Sequence, residues 1–398
     1  MTPLSRLPIS LLAALALAGC DPITTTPPGP SGSASALAAG EAHACGLEAN
    51  GLLKCWGKGG LVGDGTRALR PTAVGVAGLG PDVVSVVTGE AHSCALTRSG
   101  LVYCWGTGTD RGQLGPAAPG STQPLLETLE PTQIDFGANG GVSAIAAGAR
   151  HTCAIQPLGD VWCWGDNAQW QVGAGAAAIS VVPNAVQGEQ GQAAYGIRLV
   201  SAGDSHSCVV TGNGEAHCWG ANEHGQLGTG AAGGVFNTPQ RVQLGAPVTA
   251  ISGGRAHTCA LLVGGTARCW GANASGQLGD DTGVDSATPV SPTLDSGLKV
   301  LEVSAGGDST CAVTDDRFLR CWGDNSRGQL GDGSNLPRFS PVLVRGLTSN
   351  IRSVSVGVSS TCAVTLAGKS YCWGHNDQGQ LGDGTNTDRS QPVEVQGL

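Results

Sequence analysis

Fourteen of the fifteen cysteines fall into seven pairs, and the two members of every pair are ten residues apart: Cys45/Cys55, Cys94/Cys104, Cys153/Cys163, Cys208/Cys218, Cys259/Cys269, Cys311/Cys321 and Cys362/Cys372. Each second cysteine opens the tripeptide Cys-Trp-Gly. Each first cysteine stands five residues after a glycine: Gly40, Gly89, Gly148, Gly203, Gly254, Gly306 and Gly357. Successive pairs begin 49 to 59 residues apart. Such a chain is seven copies of one small unit. Periods of this length with strand-rich content point to propeller blades rather than stacked helices.

One unit shows the strands. Val84–Val87 alternates, Thr88-Gly89 turns, Ser93–Leu96 is a second strand, and Leu101–Trp105 is a third. A proline-headed segment such as Pro392–Val395 supplies a fourth at the edge, where proline is tolerated. The expected fold is therefore all-β: a seven-bladed β-propeller of four-stranded antiparallel blades over residues 37–398.

The central hairpin sets its own register. Facing Cys94 with Cys104 leaves a three-residue loop, whose last residue favours a left-handed glycine. Gly51, Gly100, Gly159, Gly214, Gly265 and Gly368 occupy that place, and only Arg317 breaks the rule. The facing cysteines become a non-hydrogen-bonded pair with α-carbons about 4.5 Å apart, within disulfide range. Seven cross-strand disulfides follow, one per blade, which presupposes an oxidising compartment.

The fifteenth cysteine has a different setting. Residues 1–19 carry one basic residue, Arg6, an apolar run from Leu7 to Leu17 and then small residues. The run is too short to span a bilayer and reads as a secretory signal. Leu17-Ala18-Gly19-Cys20 resembles the lipobox of bacterial lipoproteins. That resemblance implies cleavage before Cys20 and lipid on that residue, with the protein held at the bacterial cell envelope outside the cytoplasm. Residues 20–36, rich in proline, threonine and serine, read as a flexible tether behind the lipidated cysteine.

The units AGEAHACGLEANGLLKCWG and TGEAHSCALTRSGLVYCWG, with GANASGQLGD and GDNSRGQLGDG after them, resemble regulator of chromosome condensation (RCC1-type) repeats. The resemblance covers residues 37–398 and implies a seven-bladed propeller. Family functions range from nucleotide exchange to enzyme inhibition and protein binding, so the fold fixes no activity. A net charge of −9 argues against nucleic acid as a partner.

Candidate chemistry is sparse. His-x-Cys recurs at His43, His92, His151, His206 and His257, yet Ser309 and Ser360 take the histidine's place where both cysteines persist. A structural histidine packed over glycine explains this better than a metal site, so no metal or cofactor is expected. The Cys-Trp-Gly tryptophans alternate to the face opposite the cysteines and are expected to be core. Trp162 and Trp170 lie outside that ring and are candidates for exposure. Asp64-Gly65, Asp332-Gly333 and Asp383-Gly384 read as tight turns rather than calcium loops. No catalytic motif stands out, so the chain is not expected to be an enzyme.

Individuality lies in two long connections, Thr107–Gly141 and Asp166–Gly196, taken as insertions on one face. Phe136, Trp170 and Tyr195 within them are candidate partner-binding residues. The sequence reading is a lipid-anchored, monomeric propeller that binds a protein through loops of one face. Its alternatives are a structural envelope component and a glycan-binding protein.

Overall fold

The computed structural model describes residues 34–398 apart from 138–139, 174, 176, 189–195 and 349. Cys20 and Tyr195 lie outside the described residues. Twenty-eight strands, β1–β28 in chain order, form seven four-stranded antiparallel sheets. Each sheet takes its strands in sequence order, as in β1 (Ala34–Ala39), β2 (His43–Glu48), β3 (Leu53–Gly57) and β4 (Arg70–Gly75). The arrangement is the seven-bladed propeller expected. β1 begins three residues inside the segment that composition assigns to the tether, with Ala34 buried.

The hairpin arithmetic holds in every blade. Cys94 faces Cys104, and His92 faces Gly106. The seven disulfides are Cys45–Cys55, Cys94–Cys104, Cys153–Cys163, Cys208–Cys218, Cys259–Cys269, Cys311–Cys321 and Cys362–Cys372. Their α-carbons stand 4.0 to 4.1 Å apart, closer than the roughly 4.5 Å of an unbridged facing pair. Gly100 closes its loop at φ +81°, and Arg317 adopts the same left-handed conformation at φ +63° despite its side chain.

The outer strands depart from the expected segment in one respect. β28 runs from Arg389 to Glu394, so Pro392 sits inside the strand rather than at its head. Pro71, Pro131, Pro183, Pro239, Pro289 and Pro341 sit likewise in the outer strands of the other blades. An outermost strand has one edge without a ladder partner, so a residue without N–H is accepted there. Two of these strands also revise the reading of the long connections. β8 (Glu127–Gln133) lies within Thr107–Gly141, and β12 (Ile179–Ala185) lies within Asp166–Gly196. Each connection is therefore two loops, which antiparallel pairing sends to opposite ends of the blade.

Between blades, the cysteine face of one packs on the tryptophan face of the next. The Cys45–Cys55 bridge meets Trp105, and Cys94–Cys104 meets Trp164. Cys153–Cys163 meets Trp219, Cys208–Cys218 meets Trp270, and Cys259–Cys269 meets Trp322. Cys311–Cys321 meets Trp373, and Cys362–Cys372 meets Trp56 and closes the circle. All seven of these tryptophans are fully buried. Their indole N–H groups are satisfied across the same seam: Trp219 Nε1 donates to the Gln171 carbonyl at 3.0 Å, and Trp270 Nε1 to that of Gln226 at 2.9 Å. Buried indole nitrogens need such acceptors. Glycine is required at the contact: a Cβ on Gly228 (φ +69°) would stand 2.8 Å from Trp270 Nε1.

The ring closes without a shared strand. The Ala34 N–H donates to the Gly368 carbonyl at 3.0 Å, and Trp56 Nε1 to that of Gln380 at 2.9 Å. Leu398 plugs the same seam against Gly46, where a Cβ would lie 2.6 Å from its Cδ2.

Candidate interaction face

The turns joining first to second strands, and the loops joining third to fourth, lie on one face of the disc. The repeat histidines anchor it from within. His257 Nε2 lies 2.9 Å from Thr310 Oγ1 of the next blade, and Thr310 Oγ1 donates to the Gln277 carbonyl at 2.9 Å. The threonine oxygen therefore accepts from the ring, which carries its proton on Nε2. His206 with Thr258 and His151 with Ser207 repeat the relay. His43 and His92 reach Ser93 and Thr152 in the same way. All five rings are buried, and burial pushes their pKa values down to between about 3 and about 4. The neighbouring sulfurs are bonded to each other, so no thiolate pair is on offer for a metal beside them.

The acidic turns are structural as well. Asp332 accepts from the Ser334 N–H at 2.9 Å, the Ser334 hydroxyl at 2.7 Å and Arg338 Nε at 2.7 Å. Asp64 and Asp383 bind Thr66 with Arg70 and Thr385 with Arg389 in the same manner. Burial opposes ionisation at Asp64, but the bonds from Thr66 and Arg70 outweigh it and hold the carboxyl below its usual range. The loop asparagines act from inside the turn. Asn376 Oδ1 accepts the Leu381 N–H at 2.9 Å, while Nδ2 donates to the Thr385 and Thr387 carbonyls at 3.1 Å.

The pair of residues after each repeat glycine differs between blades. Glu41, Glu90 and Asp204 from these pairs line the mouth of an axial channel of about 290 Å³, and Arg150, Arg255 and Asp308 stand beside them through ion pairs. Arg150 grips Glu90 through two bonds of 2.6 and 3.0 Å. Arg255 stands 3.7 Å from Asp204 and 3.4 Å from Asp308. Desolvation in the channel wall pushes the Asp204 carboxyl up to about 6 against the pull of Arg255. Sequence reasoning passed over this ring; its signal was the change of charge at positions flanked by unvarying ones.

Beside the mouth rises the loop 108–126 of the second blade. Its two arms meet at a Pro116–Pro124 bridge, and Ala117 N–H donates to the Gln123 carbonyl at 2.8 Å. Leu125 turns inward onto the core, whereas Leu126 is 58% exposed. Leu126, Thr109, Asp110, Gln113, Glu90 and Arg150 line a cleft of about 370 Å³ between loop and mouth.

The candidate aromatics do not gather here. Phe136 lies at the opposite end of its blade and packs edge-on against Trp164, centroids 5.6 Å apart, so its role is core packing. Trp170 is half-buried on the loop face at φ +62°, in the place other loops give to glycines such as Gly225 and Gly328. Trp162 is half-buried too, facing Ala154 across the hairpin.

Sequence comparison matches residues 18–310 to the RCC1-like domain, and residues 321–364 and 367–398 to the regulator of chromosome condensation (RCC1) repeat. The ultraviolet-B receptor UVR8 of Arabidopsis thaliana is 33% identical over 91% of this chain and 81% of its own length. The human E3 ubiquitin-protein ligase HERC2 is 32% identical over 64% of this chain, a match spanning 5% of that much longer protein. Among solved structures, human WBSCR16 superposes with a TM-score of 0.75 at 21% identity, over 86% of this chain and 94% of that one. Yeast RCC1 (Prp20), solved bound to Kap60, gives 0.73 at 21% identity, over 87% and 83%. Both structures share the fold, and the repeat matches along almost the whole sequence, with the likeness to UVR8, place this chain in the RCC1-repeat family.

Proposed function

We propose that the chain is a lipid-anchored, extracytoplasmic propeller of the bacterial envelope that binds another protein through the face carrying the axial mouth. One observation carries the binding reading: charged residues that differ between blades and the long loop 108–126 collect on one face around an exposed leucine. Paired charges at a rim with an apolar point beside them suit protein recognition. Two sequence features support the address. The Leu17–Cys20 motif supplies a lipid acceptor, and seven disulfides need an oxidising compartment.

The test is a crosslinked capture from membrane extracts. The intact protein is compared with a variant whose loop tip, 117–123, is replaced by a two-residue turn. A wider deletion would remove β8 and unfold the blade's edge. A protein captured by the intact form alone supports the reading. Equal and empty captures refute it and leave a purely structural role.

A further inference from the structure

The propeller has a second face, formed by the central hairpins and the blade-to-blade loops. Five of its seven hairpins end in an exposed apolar residue: Leu52, Leu101, Leu158, Val263 and Leu366. Leu158 is 85% and Val263 59% exposed. The charges among them are of both signs: Arg98, Asp160, Asp315, Arg317 and Lys369.

Apolar exposure alone does not single this face out, since Val284 on the other face is 71% exposed. The chain's entry does. β1 faces β2 with Ala34 opposite Glu48, so Ala34 stands at the hairpin end of the first blade. Its N–H is bound to Gly368, the hairpin glycine of the seventh. Everything before Ala34 therefore leaves from the hairpin face, close to the axis.

We infer that this face docks on the surface of a lipid bilayer, with the hairpin leucines and valine reaching into the headgroup layer. The inference rests on the acylation of Cys20 proposed above. Thirteen residues lie between Cys20 and Ala34. As a flexible chain they span roughly 20 Å, and fully extended about 45 Å. Turning the other face to the membrane would take them past three strand spacings, about 14 Å, and up a blade about 20 Å tall, with side chains to clear. That path takes about three quarters of the full extension before any side chain is cleared, whereas the hairpin face lies against the anchor at no stretch. Charge of both signs gives no preference for anionic lipid, so a zwitterionic bilayer is the partner. The charged mouth then points away from the membrane, where a protein partner can reach it.

The test uses the full acylated chain in phosphatidylcholine vesicles carrying brominated acyl chains, which quench tryptophan on contact. Leu158→Trp and Leu366→Trp add a reporter on the hairpin face, and Val284→Trp adds one on the opposite face. The parent's signal is subtracted, and melting curves verify that the variants fold. Quenching at least threefold stronger at 158 and 366 than at 284 is expected. Equal quenching at all three sites, or none at 158 and 366 with an acyl mass present on the Cys20 peptide, overturns the docking face and leaves the anchor standing. A Cys20 peptide without acyl mass overturns both readings. A dimer in sedimentation with no quenching assigns the face to a second copy, and also overturns the inference.

Discussion

Acid should unfold this protein through its histidines, and replacing one of them should change the pH dependence by a countable amount. Five imidazoles are buried and neutral, with pKa values near 3 to 4 where the free side chain has 6.5. Their folded values are depressed. The stability they allow is complete above pH 6.5 and is lost as the pH falls toward the folded values, because the unfolded chain takes up protons that the folded chain refuses. Each histidine removes about 1.4 kcal/mol per pH unit in that window, so five remove about 7. Four carboxyls act in the opposite direction, Glu41 and Asp308 being raised by burial along with the two largest cases. Burial raises Asp204 to about 6 and Glu302 to about 7, so in the folded state this pair holds up to two protons that the unfolded state lacks. The Asp204 side chain is 32% exposed, which makes two an upper bound for the pair. The net loss is at most about 4 kcal/mol per pH unit between pH 6 and 4.5. Typical domains hold about 5–15 kcal/mol in total, so a chain at the lower figure is expected to unfold near or below about pH 5, and a more stable one at lower pH. His257→Ser reads out one site, with Ser309 and Ser360 as precedents for serine at this position. It takes the imidazole donor from Thr310 Oγ1 at every pH and leaves the bond from that hydroxyl to the Gln277 carbonyl, so the slope is the measurement and not the stability itself. Guanidinium unfolding with disulfides intact, repeated from pH 7.5 to 5, should give a slope shallower by about 1.4 kcal/mol per pH unit. A variant slope equal to the parent's would refute the claim that this ring is neutral in the fold and charged outside it.

Three further outcomes are expected. Replacing Cys94 and Cys104 together by alanine should lower stability by about 2–3 kcal/mol, read by denaturant unfolding, while reduction of the parent should lower Tm far more. Gly46→Val should loosen the seam between first and seventh blades by about 1–3 kcal/mol, because Leu398 occupies the space a side chain would need; protease cleavage near Ala34 should report it. Trp170→Gly should be more stable than Trp170→Ala by about 1 kcal/mol, since both remove the indole but only glycine accepts φ +62° freely; equal melting temperatures would contradict this.

The hairpins were legible because a spacing of ten, with a glycine closing the turn, admits one register, and that register alone puts each tryptophan opposite its neighbouring cysteines. Arg317 shows how far the loop geometry dominates, since it takes the glycine conformation without being glycine. Contacts between blades were not legible. The Thr310 that receives His257 is 53 residues away and looks like any strand threonine. Leu398 against Gly46 joins the two ends of the ring, which no local pattern announces. Each long connection holds a fourth strand around Pro131 or Pro183, the same proline-bearing segment expected in every unit, and counting the connection as one insertion merges loops that belong to opposite faces. Phe136 stood out as an aromatic in a glycine-rich stretch, but its ring fills a place beside Trp164 that only the neighbouring blade creates.

The contiguity of each blade bears on how fourteen cysteines find their partners. Random oxidation of so many thiols would give wrong pairings far more often than right ones. Here every correct partner is ten residues away, and the nearest wrong one from the following unit is dozens away. Closing a ten-residue loop takes about 10–100 ns, and the hairpin that aligns the two sulfurs forms within about 1–10 μs. Both are far faster than thiol oxidation, which takes seconds or longer. Each unit thus presents its own two sulfurs side by side long before either can be oxidised. The order in which the seven bridges form then has no bearing on which bridges they are, and a chain delivered one unit at a time could lock each blade before the next arrived.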